Sequence, residues 1–182
     1  MKKPQIPSGR KFSLLPRLLA TLMAGSVFAF LIPFTLLTLA PRLDTACGFP
    51  SFTAGATTAI IGGIEIVIGA VYALWSISMQ IAQASGTPLP FMPTQQLLVS
   101  GPYKYCRNPM AFGAISIYAG VSIYAGSISA LLSTAVFTIL LIIYIKQIEE
   151  KELAVRFGEA YLAYKDSTPF LVPGLWLAGP RR

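Results

Sequence analysis

The sequence contains no histidine among its 182 residues. A histidine general base, a serine–histidine or cysteine–histidine nucleophile pair and a histidine-ligated metal are therefore excluded. Cysteine is almost absent too, because only Cys47 and Cys106 are present and they lie far apart in the chain. Two lone thiols cannot make a four-ligand metal site, and they indicate no disulfide framework. The sequence therefore predicts a protein without a metal.

Charge is scarce as well. Only 12% of the residues are charged, whereas a soluble domain carries about 25%. Hydrophobic residues make up 54% of the chain, and the mean hydropathy is +0.65. These values predict that most of the chain faces lipid. The net charge of +7 does not indicate nucleic-acid binding, because the basic residues cluster at the ends of apolar runs and form no patch of their own.

The apolar runs predict an all-α, polytopic membrane protein with a single domain over 1–182. A bilayer-spanning helix needs about 20 apolar residues. The first run, 18–40, has 23 residues without a charge, which is too long for the apolar part of a signal peptide. We expect a kink at Pro33, and then a short loop that contains Arg42 and Asp44. The second span is predicted at 53–81 and is interrupted only by Glu65.

The next apolar run, 109–145, contains 37 residues without a charge. A single helix of that length would measure about 55 Å, far more than the roughly 30 Å hydrocarbon core. The run is therefore predicted to fold back at Ala125-Gly126-Ser127 into a hairpin with spans at 110–125 and 127–145. About four transmembrane helices result, although each hairpin arm is marginal in length and a partly inserted hairpin is the alternative.

Lysine and arginine predict the orientation. They are concentrated in the N-terminus, the loop 82–109 and the tail 146–182, and almost absent from the other two connections. The positive-inside rule then places both termini and this loop in the cytoplasm, in agreement with four crossings. In the tail, Leu153, Phe157, Tyr161 and Tyr164 follow helical spacing and predict one amphipathic helix, on the membrane surface or continuing the last span.

The loop 82–109 and the start of the tail hold most of the polar chemistry and share one side of the membrane. A cytoplasmic pocket between them is therefore the expected site. Glu65, the only charge within a span, is a further candidate, although it lies in the outer half of its helix. The spacing of Gly62, Gly63 and Gly69 indicates close helix packing rather than a nucleotide-binding loop.

Three segments, taken in order, resemble a known family. Gly101-Pro102-Tyr103-Lys104-Tyr105-Cys106-Arg107-Asn108-Pro109 is similar to the G-P-Y-x-Y-x-R-[HN]-P motif of integral membrane methyltransferases, the isoprenylcysteine carboxyl methyltransferase and phospholipid methyltransferase group. Upstream, 86–90 and 97–99 resemble the G-T-P-x-P…L-V lead-in of its prokaryotic members. Downstream, Glu149-Glu150 and the residues to Tyr164 resemble E-E-x-x-L-x-x-x-F-G-x-x-Y-x-x-Y.

The resemblance implies S-adenosylmethionine as methyl donor and a lipophilic methyl acceptor taken from the bilayer, in a prokaryotic inner membrane rather than the endoplasmic reticulum. It implies roles in methyl transfer for Arg107, Asn108, Glu150 and Lys146. The family usually has a basic residue on the acceptor side, one turn before the glutamate. Ile145 occupies that position here, and the neighbouring Lys146 could take its place. The donor contacts expected by positional match are Gln95, Gln96, Leu97, Leu98, Tyr103, Asn108, Pro109, Met110, Ala111 and Glu149.

The sequence departs from the family at Asn108, where many members have histidine, and at Ala111, where an aromatic residue is common. An amide cannot act as a base near pH 7, whereas an acceptor that is already a carboxylate needs no base. The asparagine at position 108 therefore favours an isoprenylcysteine-type carboxylate as the methyl acceptor, with a phospholipid amine or a thiol as the alternative acceptors. Two other functions stay open: an NADPH-dependent membrane reductase of the sterol-reductase type, and a non-catalytic membrane scaffold.

Structural alternatives stand beside these assignments. Glu149 and Glu150 could be the solvated start of an amphipathic helix, and Lys104 and Arg107 could be interfacial anchors. Tyr103 and Tyr105 could belong to an aromatic belt at the membrane surface.

Overall fold

The computed structural model describes residues 14–53, 55–83 and 96–174, and all regular structure in these ranges is helical. Gln95 and the lead-in segment 86–90 lie outside the described residues. In chain order the helices are α1 (Leu14–Ser26), a first π-helical turn (Val27–Leu31), α2 (Ile32–Cys47), α3 (Ala56–Gln83), a 3₁₀ helix (Gly101–Lys104), α4 (Pro109–Ala125), α5 (Ile128–Tyr144), a second π-helical turn (Ile145–Glu149), α6 (Glu150–Phe157) and α7 (Glu159–Ser167).

The first helical rod runs without a break from α1 through the first π turn into α2. The π turn comes directly before Pro33, and the amide of Ile32 donates to the carbonyl of Val27, five residues back. A proline ring clashes with the carbonyl four residues earlier, and the wider turn relieves that clash. The predicted end of this span at residue 40 is wrong, because Arg42 and Asp44 lie in α2, which ends only where Gly48 turns to φ +71°.

Four glycines bring α3 and α4 into backbone contact. A Cβ atom built on Gly69 would lie 2.5 Å from the carbonyl oxygen of Gly113, and one built on Gly62 would lie 2.6 Å from that of Gly120. No side chain fits between helices at that distance, so only glycine permits the approach. The predicted packing role is confirmed for Gly62 and Gly69, whereas Gly63 faces away, since a Cβ atom added there would have no neighbour within 4 Å.

The predicted fold-back between α4 and α5 is confirmed. Gly126 has φ +59°, and the side chain of Ser127 accepts a hydrogen bond from the amide of Ala130 to cap α5. The buried carboxylate of Asp44 accepts a hydrogen bond of 2.7 Å from the amide of Ser129. The end of α2 is therefore fastened to the start of α5, at the end of the bundle opposite to the start of α4.

Within the described residues, three helical stretches are long and apolar enough to cross a bilayer, and they are Thr21–Cys47, Ala56–Gln83 and Ile128–Phe157. Their outer faces carry exposed large side chains such as Met23 and Phe30, which suit contact with lipid rather than water. The fourth predicted span, α4, has 17 residues and measures about 26 Å. Whether it crosses the whole core stays a prediction. The helix of the last predicted span continues beyond residue 145 to Phe157, as in the alternative in which the tail continues that span.

The tail is not the single amphipathic helix that the spacing predicts. Gly158 has φ +56° and separates α6 from α7, and a residue in that region of backbone space ends an α-helix. The four residues of the predicted stripe nevertheless share one apolar cluster, in which Leu153 and Phe157 from α6 pack against Tyr161 and Tyr164 from α7. The break folds α7 back toward the loop that precedes α4.

Candidate functional site

The segment Gly101–Asn108, called the motif loop here, begins with a tight turn. Gly101 has φ +59°, and a Cβ atom there would lie 3.0 Å from the terminal methyl of Met79 in α3. The 3₁₀ helix that follows buries Pro102 and Tyr103. Cys106 is fully buried, and burial raises the pKa of its thiol to about 11. The thiol is therefore neutral near pH 7 and fills space, as an inert cysteine does.

Tyrosines fasten the motif loop to the helices on both sides of it. The hydroxyl of Tyr164 in α7 donates a hydrogen bond of 2.6 Å to the carbonyl of Tyr103. The side-chain amide of Gln80 in α3 donates to the hydroxyl of Tyr103, also at 2.6 Å. Burial raises the pKa of Tyr103 above its ordinary value, so the phenol stays protonated and keeps a proton to donate. Tyr103 is thereby held at its backbone carbonyl by α7 and at its hydroxyl by α3.

A largely buried ion-pair cluster joins the motif loop to α6. The guanidinium of Arg107 contacts Glu150 Oε1 at 2.5 Å, and Lys165 Nζ of α7 contacts Glu150 Oε2 at 2.7 Å. The side chains of Arg107 and Glu150 are only 11% and 9% exposed. Arg107 Nε also donates to the carbonyl of Thr168 at 3.1 Å. Two sequence motifs that are 43 residues apart therefore meet directly.

The chain after α7, residues 168–174, lies along the motif loop and is called the C-terminal strap here. The amide of Arg107 donates to the carbonyl of Pro169 at 2.8 Å, and the side-chain amide of Asn108 donates to that of Phe170 at 2.8 Å. The amide of Gly174 donates to the carbonyl of Tyr105 at 3.1 Å. These bonds hold the loop and the strap in one register.

The Phe170 ring of the strap lies between two cations. Arg107 Cζ is 5.5 Å from the ring centroid, and Lys146 Nζ, from the second π turn, is 5.0 Å from it. Both distances fall within the range of cation–π attraction. Phe170 thereby links the motif loop to the end of the last long helix.

Glu149 stands apart from its neighbour. Consecutive residues of a helix point in directions about 100° apart, so Glu149 and Glu150 face different surroundings. Whereas Glu150 is paired twice, Glu149 has no hydrogen-bond or ion-pair partner in the described parts of the chain, and it is only half-buried. Its charge is one of the causes that raise the pKa of Tyr103, so the carboxylate lies near that phenol.

The start of α4 leaves backbone donors open. Asn108 occupies the N-cap position, but its side chain makes no capping hydrogen bond and donates to the strap instead. Pro109 at the first helical position has no amide hydrogen. The amides of Met110 and Ala111 therefore lack a side-chain cap, and amides at a helix N-terminus attract anionic groups.

The described structure brings together most of the residues that the sequence singles out. Arg107, Asn108, Glu150, Lys146, Tyr103, Pro109, Met110, Ala111 and Glu149 lie at one end of the bundle, around the motif loop. Leu97 and Leu98 pack against the tyrosine cluster as apolar side chains, and Gln96 is exposed.

Three residues of the site escape sequence reasoning. Gln80 ends an apolar span, Lys165 lies beyond the compared motif, and Phe170 is one more apolar residue of an irregular tail. Each acts through a contact with a residue at least 15 positions away, and no local pattern marks such a contact.

The profile of the phospholipid methyltransferase family matches residues 57–160. This chain belongs to the phospholipid methyltransferase family. The match spans α3, the motif loop, the α4–α5 hairpin and the paired glutamates, so the family suspected from the three segments is confirmed and the chain is a membrane protein of a methyltransferase family. A comparison with curated proteins gives no match, and a comparison with solved structures gives none.

A cavity of about 330 Å³ lies away from this site, between α2, α4 and α5. Its walls are mainly apolar and include Leu36, Tyr118 and Phe137. It sits toward the Asp44 end of the bundle, so it is not the pocket of the family motif. Among the described residues, no group of three or more acidic, cysteine or histidine side chains could hold a metal ion.

Proposed function

We propose that this protein is an S-adenosylmethionine-dependent methyltransferase that methylates a lipophilic acceptor at the cytoplasmic boundary of the bilayer. One observation carries the proposal. The Arg107–Glu150 contact joins the motif loop to the paired glutamates, which are the two family motifs on either side of the hairpin. With the family match, this juxtaposition supports one composite site.

The residues present fit the donor. The ammonium and the ribose hydroxyls of S-adenosylmethionine need a hydrogen-bond acceptor. The Glu149 carboxylate can serve, because it has no partner in the described residues. The carboxylate of the donor fits the uncapped amides of Met110 and Ala111. Tyr103 lies near Glu149, and Leu97 and Leu98 supply apolar contact beside Tyr103. Gln96, Asn108 and Pro109 belong to the expected set of contacts as well, and so does Gln95, which lies outside the described residues.

The bound donor supplies an electrophilic methyl group on a sulfonium centre. The chain's own residues orient the two reactants and exclude water from them. Arg107 is already engaged by Glu150 and by the carbonyl of Thr168, so we assign Arg107 and Glu150 to positioning the motif loop. The same reasoning gives Asn108 a positioning role through the strap.

A carboxylate is the acceptor that the site favours. The position of the missing histidine is filled by Asn108, whose amide is committed to the carbonyl of Phe170 and cannot take up a proton near pH 7. A carboxylate acceptor is already anionic and needs no base. Lys146 lies exposed beside Phe170, and its ammonium can pair with the acceptor carboxylate. An isoprenylcysteine-type carboxylate can therefore react without a base and can pair with Lys146.

A phospholipid amine is the second candidate, and the description of the matched family favours it. An amine must lose a proton before it attacks the methyl group. In the described part of the site, Glu149 is the carboxylate that has no cationic partner and could take that proton.

Calorimetry of the purified protein tests the donor assignment. We expect it to bind S-adenosylmethionine and S-adenosylhomocysteine but not NADPH, and we expect Glu149→Ala to weaken binding about 10-fold or more, as loss of a hydrogen bond to a charged group does. Glu159→Ala, at the exposed start of α7, is the matched control and should bind as wild type does. NADPH binding would favour the reductase, and the absence of any binding would favour the scaffold.

A labelled-methyl assay then distinguishes the acceptors. Prenylcysteine, amine-lipid and thiol acceptors are offered in separate reactions. Transfer to the prenylcysteine carboxylate is expected, and transfer confined to the amine lipid would replace that assignment by the second candidate.

A further inference from the structure

We propose that Phe170 is a positioning residue that fixes Lys146 where it meets an oxyanion of the acceptor. The proposal rests on the proposed function, because it assigns a role on the acceptor side of that site. It concerns a residue that lies ten positions beyond the end of the family match. Phe170 therefore lies outside the part of the chain that matches the family.

The backbone that carries the Phe170 ring is held in place by hydrogen bonds to the motif loop. The carbonyl of Phe170 accepts from the side chain of Asn108, and the carbonyl of the preceding Pro169 accepts from the amide of Arg107, both at 2.8 Å. A third bond joins Gly174 to Tyr105 at 3.1 Å and closes the strap on its other side. The ring thus projects from a backbone that is fastened before and after it, which fixes the point from which the ring reaches Lys146.

The ring in turn restrains Lys146. Lys146 is an exposed residue on the second π turn, and it has no ion pair in the described parts of the chain. A lysine side chain loses up to about 2 kcal/mol of rotamer entropy when it is fixed, so an unrestrained lysine binds an anion less well. Lys146 Nζ lies 5.0 Å from the Phe170 centroid, and this cation–π contact favours one position of the ammonium.

The charges around the ring indicate what Lys146 meets. Three cations lie near the ring or its neighbours. Arg107 and Lys165 share the single carboxylate of Glu150, whereas Lys146 has no carboxylate partner in the described parts of the chain. A cation held at the cytoplasmic end of a long apolar helix attracts an oxyanion at the lipid boundary. The chemistry fits a carboxylate or a phosphate. The first would come from the acceptor, and the second from a phospholipid headgroup.

Three variants of the full-length protein in detergent test this role. Phe170→Leu keeps the bulk and removes the π face, Phe170→Tyr keeps both, and Val172→Ala changes an exposed residue of the same strap. We expect Phe170→Leu to raise the KM for the prenylcysteine carboxylate about 2- to 5-fold, with kcat and the affinity for S-adenosylhomocysteine unchanged. Phe170→Tyr and Val172→Ala should match wild type. A fall in kcat or in donor affinity, or equal effects of Phe170→Leu and Phe170→Tyr, would overturn the proposal.

Lys146→Gln tests whether Phe170 acts through the lysine. If it does, Phe170→Leu adds no further rise in KM in the Lys146→Gln background. Additive rises would show that the ring acts through Arg107 or by another route, and would contradict the proposal. Competition by phosphatidylglycerol that weakens in Phe170→Leu would identify a headgroup phosphate as the oxyanion, whereas competition that is equal in both proteins would identify the acceptor carboxylate.

A second measurement is independent of methyl transfer. An amine-selective acylating reagent is applied to the intact protein, and the labelling rate of Lys146 is read by mass spectrometry. We expect Lys146 to react about 2- to 5-fold faster in Phe170→Leu than in Phe170→Tyr, while the exposed Lys151 reacts equally in both. Equal rates at Lys146 would sink the proposal. Faster labelling in a protein that transfers no methyl group would support the contact and refute the proposed function instead.

Discussion

At the scale of single residues, the surroundings of each charge decide its role. Glu149 and Glu150 are neighbours of the same chemical type, but Glu150 carries two cationic partners and Glu149 has none among the described residues. A carboxylate that is paired and shielded holds structure, whereas one that lacks a partner can meet a ligand. Arg107, with its fork of donors divided between Glu150 and Thr168, belongs to the first kind.

Arg107→Gln should destabilise the protein by roughly 3 kcal/mol, because removal of one partner leaves a mostly buried carboxylate with less compensation. The loss falls at the low end of the range for such pairs because Lys165 still contacts Glu150. Chemical unfolding in detergent micelles, followed by circular dichroism, measures the change. Lys151→Gln removes an exposed cation one residue from Glu150 and should alter the free energy of unfolding by less than about 1 kcal/mol. Similar losses in the two variants would refute the structural role of the buried pair.

At the scale of helices, irregular turns and glycines set where the elements meet. The two π turns interrupt long rods without ending them, one directly before Pro33 and one beside the paired glutamates. The glycines of α3 and α4 remove the side-chain layer that separates other helix pairs. The motif loop has to join the ends of these two closely packed helices, so their packing fixes the place of the site.

Gly69→Ala should lower the free energy of unfolding by about 1–3 kcal/mol. The added methyl group would lie 2.5 Å from a backbone carbonyl oxygen, so α3 and α4 would have to separate. Gly63→Ala is the control, since its methyl group meets no atom within 4 Å and alanine favours helix by about 1 kcal/mol over glycine. Denaturant midpoints in the same micelles compare the two. A Gly69→Ala protein as stable as Gly63→Ala would mean that α3 and α4 do not pack this closely.

At the scale of the whole molecule, the site lies at one end of the bundle and the Asp44–Ser129 contact at the other. The positive-inside rule predicts that the site end faces the cytoplasm. The two cysteines report on this orientation, because Cys47 is exposed at the end of α2 and Cys106 is buried in the motif loop.

A membrane-impermeant maleimide, added to intact cells or spheroplasts, should therefore label Cys47 from the outside. Cys106 should stay unlabelled at pH 7–8 until the protein is denatured, because the thiol is fully buried and its pKa is about 11. Cys47→Ser, which removes the reactive thiol, provides the background. Labelling of Cys47 only in inverted vesicles would reverse the predicted topology.

The features of this protein that depend on local chemistry can be predicted from the order of its amino acids. Long charge-free runs require lipid, and a 37-residue run cannot cross a bilayer once, so the membrane class and the turn at Gly126 follow from the residues alone. The order of the motifs was enough to predict the family. Helix ends were predicted less well, because Asp44 and Arg42 join α2 only once Ser129 from another helix gives the buried carboxylate a partner.

Three features depend on contacts between distant parts of the chain. They are the pairing of Glu150 rather than Glu149, the break of the tail at Gly158, and the contacts of Phe170 with Arg107 and Lys146. Each of these results depends on where a distant residue arrives after the hairpin has folded back. Periodicity shows which face of a helix is apolar, but it carries no information about the contacts on that face. The motif residues can therefore be identified from the sequence, whereas the role of each one depends on contacts that form only in the folded protein.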